Sequence, residues 1–338
     1  TPIRDVPSDA LPPPASSSEG DSAGAAAADD HDPLACLSAV LRVRASSMVE
    51  DMRAEMANDV DTCIMAAEIL GQRFFDNGRY QEALLHYTAG LMLLRTKQGG
   101  LPLAQQVESA GAANNVAVTL CKFDKFREAA PLLRYTFHVR AAAFGPEHEE
   151  VLSVATNYAA LLAQAGDPAA AIAFMDTVLD GVRDAAGGNA SPAVAAVLQN
   201  KGNVQLMCDD HAGAQASYRD ALHICERAHG RHVDTAAAMS NLAICLCTSD
   251  GCTEHDLSEA ETLLLSALDM RESVQGQRHA DVGITLSNLG TLFSICGRTA
   301  EARTYLTRAV SVLRASLGAE DAETQKAVAR LDALPPVA

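Results

Sequence analysis

Ser287-Asn288-Leu289-Gly290 decides how this chain reads, because the stretch recurs. Its counterparts are Ser240-Asn241-Leu242-Ala243, Gln199-Asn200-Lys201-Gly202, Thr156-Asn157-Tyr158-Ala159 and Asn114-Asn115-Val116-Ala117. Each carries an asparagine followed two residues later by Gly or Ala, and the asparagines stand 42, 43, 41 and 47 residues apart. A period of this size points to a repeat array in which each unit covers the hydrophobic face of the next.

Working outward, the small residues set the register. A first helix carries Gly71, Ala117, Ala159, Gly202, Ala243 and Gly290; a second helix carries Ala83, Ala129, Ala171, Ala214, Ala260 and Ala302. The two are 12 residues apart in five of the six units and 17 apart in the fifth. Two antiparallel helices approach closely only where side chains are small, so these positions predict the crossing inside each pair. Between the helices, Gly78, Gly166 and Gly297 fit a turn needing positive φ, and Asp124 and Asp209 hold the same place in two other units. Four residues after the second-helix alanine stands a large apolar or aromatic residue: Tyr87, Leu133, Met175, Tyr218, Leu264 or Leu306.

This pattern resembles the tetratricopeptide repeat, L-G-x-x-Y followed by A-x-x-x-F-x-x-A. The first unit matches it most fully, with Leu70-Gly71, Phe74, Gly78, Tyr80, Ala83, Tyr87 and Gly90. The period exceeds the usual spacing of about 34 residues. The linkers Gly145-Pro146-Glu147-His148, Gly230-Arg231-His232-Val233-Asp234 and Gly276-Gln277-Arg278-His279-Ala280-Asp281 narrow the likeness to the kinesin-light-chain type, over roughly residues 110–325. The third linker, Gly188-Asn189-Ala190-Ser191-Pro192, lacks the His, and Lys201 and Gln205 stand where apolar residues are usual, which predicts weaker packing in the fourth unit. The resemblance implies an all-α, right-handed superhelical solenoid of about six helix pairs, its concave groove lined mainly by first helices.

The expected organisation is a disordered, acidic, Pro-, Ala- and Ser-rich tail over 1–33, an amphipathic helix over 34–59, six repeats over 61–318 and a closing helix over 320–334. The tail holds six of the 13 prolines and seven acidic residues against one Arg, too little to repay ordering. Leu37, Leu41, Met48, Met52 and Met56 recur at helical spacing in the next stretch. Ala327, Val328, Leu331 and Leu334 share one side of the closing helix and cover the last open face. Five extra residues fall within 248–256.

The formal charge of −17 disfavours nucleic acid and anionic membrane, and no apolar run reaches spanning length. Nine Cys without a C-x-x-C pair read as free core thiols in a reducing, intracellular and most simply cytoplasmic setting. The chain begins at Thr1, so organellar import stays open. Oligomeric state is not encoded in any motif.

By resemblance to arrays that hold extended peptides, Asn115, Asn157, Asn200, Asn241 and Asn288 border the groove. An amide both donates and accepts, so a series of them suits a peptide backbone; equally, each Asn can bond a neighbouring helix and set the angle between repeats. Asn114, Lys122, Gln164, Asn203, Ser240 and Ser287 are further groove candidates. Among the groove candidates only Lys122 is basic, which speaks against a clamp for a chain-terminal carboxylate, although Arg134, Arg140, Arg219 and Arg227 on second helices add positive charge. Cys245, Cys247, Cys252 and His255 have zinc-ligand chemistry, but Cys245 and Cys247 lie about 200° apart on one helix, so buried thiols are expected there. His148, His232 and His279 are expected to cap or pack against the following helices. No catalytic motif occurs, and no cofactor is implied. The expected function is a non-enzymatic scaffold or adaptor holding a partner's extended peptide or helix. The alternative is a structural subunit of an assembly that uses the convex face and the N-terminal helix, and an activity supplied by a missing N-terminal part comes last.

Overall fold

The computed structural model describes residues 33–98, 100–248 and 251–335. Apart from Pro33, the acidic tail lies outside them, as do two residues of the 248–256 insertion. Among the described residues there are helices and turns but no strand. They form two compact units that divide after Ala185.

The first unit begins with α1 (Ala39–Glu55), followed by the pairs α2 (Val60–Asp76) with α3 (Tyr80–Gln98), α4 (Val107–Cys121) with α5 (Phe126–Phe144), and α6 (Glu149–Gln164) with α7 (Pro168–Ala186). Leu37, just before α1, is buried together with Ala45 and Met52 of the helix, and Leu41, Met48 and the capping Met56 pack onto the same core. This continues the core of α2–α5 and covers its open end. The outer stripe leaves Val40 and Val43 about 70% exposed (71% and 69%).

The second unit holds α8 (Pro192–Met207) with α9 (His211–His229), α10 (Val233–Thr248) with α11 (Glu254–Gln275), α12 (Ala280–Ile295) with α13 (Thr299–Leu317), and finally α14 (Ala322–Asp332). Ala327, Val328 and Leu331 of α14 pack on Val310 and Leu313 of α13. The fifth-unit insertion enters helix as well as loop: α11 has 22 residues where α3, α5, α7, α9 and α13 have 19. Its start is fixed by Thr253 and Asp256, which cap each other's backbone N–H groups.

All six second-helix alanines are fully buried, as are Ala117, Ala159 and Ala243 opposite them. Where the first helix has Gly, the reason lies across the crossing. A Cβ on Gly71 would stand 2.7 Å from the Tyr87 ring, and one on Gly202 would stand 2.7 Å from the Tyr218 ring. At the sixth crossing a Cβ on Gly290 would stand 2.5 Å from Leu306, whereas Ala is accommodated opposite Leu133, Met175 and Leu264.

The linkers use a two-part device. Gly145, Gly230 and Gly276 end a helix at positive φ, and three or two residues later His148, His232 or His279 accepts the N–H of Glu150, Asp234 or Asp281 on Nδ1 at 3.2–3.3 Å. The linker without His uses Ser191, which accepts from the Ala193 N–H at 3.2 Å. Within pairs, Asp124 and Asp209 adopt φ of 57° and 58°, the same turn that glycine makes elsewhere.

Gln205 corrects the expectation of weak packing in the fourth unit. It is buried, accepts from the Ser217 hydroxyl at 2.7 Å, and donates to the Asp210 carboxylate at 2.9 Å. A polar side chain thus ties α8 to α9 with its hydrogen bonds made.

Candidate peptide-binding groove

In the first unit, residues of α2, α4 and α6 help frame two adjoining cavities of about 830 and 230 Å³. Both are lined by Gln72, Tyr87, Asn114, Asn115 and Arg140. The larger adds Glu68, Asp76 and Glu108, and the smaller adds Val118, Ser153 and Asn157. The helical period brings these residues together, since Glu68, Gln72 and Asp76 recur every four positions on α2, and Val118 follows Asn114 by four and Asn115 by three on α4.

Tyr87 donates its hydroxyl to Gln72 Oε1 at 3.1 Å, and Gln72 donates to Asp76 at 2.7 Å. Burial, with Asp76 and Glu68 nearby, pushes the Tyr87 phenol up to about 12, so it remains a donor. Burial, reinforced by the Glu108 carboxylate, raises Glu68 as well. Asn114 is half-buried, and its Oδ1 is buried without a hydrogen-bond partner. Arg140 reaches this face from α5. Its side chain is 17% exposed, and its Nε stands 3.5 Å from Glu150 Oε2 without forming a hydrogen bond.

In the second unit the same asparagine position behaves differently. Asn241 donates to Gln199 Oε1 at 2.9 Å, linking α10 to α8 in the manner of a spacer between repeats. Asn203 is exposed and accepts the Tyr218 hydroxyl at 2.7 Å. Asn200 and Asn288 are half-buried on α8 and α12.

Two serines depart from the groove expectation. Ser240 is buried and donates to the Ala236 carbonyl of its own helix at 2.9 Å. Ser287 is buried too and accepts from Arg330 of α14 at 2.9 Å. Lys122 is exposed with its ammonium 5.9 Å from the Tyr80 ring centre, and Gln164 is half-buried with an unpartnered Oε1; neither lines the two cavities. Gln72 was missing from the predicted set, and Arg140 was expected only as a charge on the second-helix wall. Gln72 has a signal in retrospect, since it directly follows a crossing glycine, as Asn203 does.

The cysteines sort by burial. Cys245 is buried, with its Sγ 3.8 Å from the His211 carbonyl. Burial holds the Cys247 thiol up at about 12, with Cys252 and Cys296 close enough to add to the shift. Among the described residues, the one group whose ligand atoms gather at metal-binding distance is His255, Asp256 and Glu259. There Asp256 is held by Thr253, and Glu259 by Arg219 at 3.1 Å.

Buried small residues stand at every helix crossing of the array, as the repeat pattern requires. Tetratricopeptide repeat family models match residues 109–150 and 251–315, and the units in these two stretches are tetratricopeptide repeats. No curated protein sequence matches the chain. Among solved structures it is similar to BtubC (BKLC) of P. vanneervenii, at 18% identity over 83% of this chain and 95% of that one, with a TM-score of 0.49. It is also similar to the nearly identical TPR-like repeats of a kinesin light chain candidate from Podosopora anserina, at 14% identity over 63% and 97%, with a TM-score of 0.47. No described helix is long and apolar enough to cross a membrane.

Proposed function

We propose that this chain is a non-enzymatic scaffold or adaptor that holds an extended segment of a protein partner against α2, α4 and α6 of its first unit. The supporting observation is that Asn114, Asn115 and Asn157, amides from two successive first helices, line one cavity, and the first two line its larger neighbour as well. Such amides pair with the N–H and C=O of a peptide in any sequence, while Val118 and the apolar side of Ile69 read its side chains.

The test uses peptides selected from a random displayed library against the full chain. Replacing Asn115 and Asn157 together with Leu is expected to weaken the selected peptides at least about 30-fold, the loss of two or three hydrogen bonds. The far-ultraviolet circular dichroism stays unchanged. Undiminished binding by the folded double variant removes this reading.

A second reading has its own observation. Val40 and Val43 are exposed on α1, and Val40 lines an apolar hollow of about 450 Å³ with Leu41, Leu84, Leu85 and Phe123. An assembly subunit docking there loses its partner on Val40→Asp with Val43→Asp and keeps it in the asparagine variant.

A further inference from the structure

The two units share an internal register of 131 residues. It relates Gly71 to Gly202, Gln72 to Asn203, Tyr87 to Tyr218, Arg140 to Arg271, Glu150 to Asp281 and Val154 to Thr285. Equivalent residues make equivalent contacts at the first of these sites, where each tyrosine hydroxyl bonds the amide that follows the crossing glycine.

At the arginines the equivalence breaks. Arg271 is buried, and its NH1 donates to the Thr285 hydroxyl at 2.6 Å and the Asp281 carbonyl at 3.1 Å. Arg140 has Val154 where Arg271 has Thr285, and Val offers no acceptor. Among the described residues Arg140 makes no hydrogen bond; its one charged neighbour is Glu150 at 3.5 Å. The Arg140 Nε–H is buried without a hydrogen-bond acceptor, and that donor lacks the partner a withdrawn polar group needs. It lines the same two cavities as Asn114, whose Oδ1 needs a donor.

The geometry points to Arg140 and Asn114 as a specificity-determining pair for a neutral amide of the bound segment, its carbonyl on the guanidinium and its N–H on Asn114 Oδ1. This rests on the groove reading above and adds the chemistry of the occupant. A peptide group or an Asn or Gln side chain supplies one donor and one acceptor together. A carboxylate answers Arg140 alone, and it meets Glu68, Asp76 and Glu108 in the larger cavity and Glu150 beside the guanidinium, with Arg73 as the one further cation in the lining. The second unit, with Arg271 committed to its own repeat, does not share this property.

Nuclear magnetic resonance on the isotope-labelled full chain tests the pair, following the Arg140 Nε–H and the Asn114 side-chain amide. The probes are N-acetylalanine N-methylamide, N-acetylglutamine N-methylamide and sodium acetate. Saturable shifts with both amides and none with acetate are expected, which assigns the site to the peptide backbone. A response to the glutamine compound alone assigns it to a side-chain carboxamide. A response to acetate alone, or to none of the three, overturns the inference.

Val154→Thr gives Arg140 the hydroxyl that Arg271 already has at nearly the same volume, and unchanged far-ultraviolet circular dichroism and denaturation midpoint establish that the variant is folded. This variant and Arg140→Met are each expected to weaken the amide probes and the selected peptides about tenfold, near the loss of one charge-assisted hydrogen bond. Peptides lost in the Asn115 and Asn157 variant but indifferent to both of these substitutions leave the groove reading standing and remove the Arg140 pair. Peptides indifferent to all of them remove both.

Discussion

Tyr218→Ala is expected to lower the stability of the second unit by about 3–5 kcal/mol, the range for truncating a large buried aromatic residue. Tyr218 is 1% exposed, and its ring lies against the α-carbon of Gly202 at the α8–α9 crossing. Removing it leaves a cavity between two helices that have no other large residue at that point. Chemical denaturation followed by circular dichroism reads the effect as a lower midpoint. Tyr218→Phe separates ring from hydroxyl. It is expected to cost about 1 kcal/mol or less, because the Asn203 amide that accepts the hydroxyl is exposed and turns to water instead. Equal losses for the two substitutions contradict the account of the crossing.

Gly202→Ala is the complementary experiment, with an expected cost of about 1–2 kcal/mol. The added Cβ falls 2.7 Å from Tyr218 Cε1 and 2.8 Å from Cζ, inside van der Waals contact, so the ring or the helix has to move. Overpacking of this kind costs about 1–3 kcal/mol, and the better helix propensity of Ala returns up to about 1. Tyr218→Leu added to it is expected to be partly compensating. Ala opposite Leu is the pair found at Ala117 with Leu133 and at Ala243 with Leu264, where all four residues are buried. The double substitution therefore loses less than the two singles together, with a coupling of about 1–2 kcal/mol. Strict additivity shows that the glycine is not there for the ring.

These crossings mark what was legible in the sequence. Small residues at a fixed spacing have a steric meaning that survives without neighbours in view, and Ala83, Ala129, Ala171, Ala214, Ala260 and Ala302 are all buried at 0% exposure. The Gly-to-His linkers were legible for a similar reason. A helix end and the next helix start each demand a local hydrogen-bond solution, and His148, His232 and His279 supply the second.

The asparagines were harder, because their role depends on a residue about 42 positions away. Asn241 reaches Gln199, a side chain long enough to cross between first helices. In the preceding pair of repeats the residue equivalent to Gln199 is Asn114, one methylene shorter, and its Oδ1 remains unpartnered. Ser240 and Ser287 occupy that same position again, and their short hydroxyls turn to the helix backbone or to Arg330. One motif therefore yields a spacer in one place and an open cavity lining in another. Arg140 was legible only as one of four second-helix charges; what sets it apart emerges beside Arg271, through the exchange of Thr for Val at one buried position.

The most direct measurement of the groove reading is hydrogen–deuterium exchange of the full chain with and without a library-selected peptide at saturation. The account predicts slowed exchange in α4 and α6, centred on Asn114–Val118 and Ser153–Asn157, with α10 and α12 unchanged. Slowing confined to α1, or to α10 and α12, contradicts it.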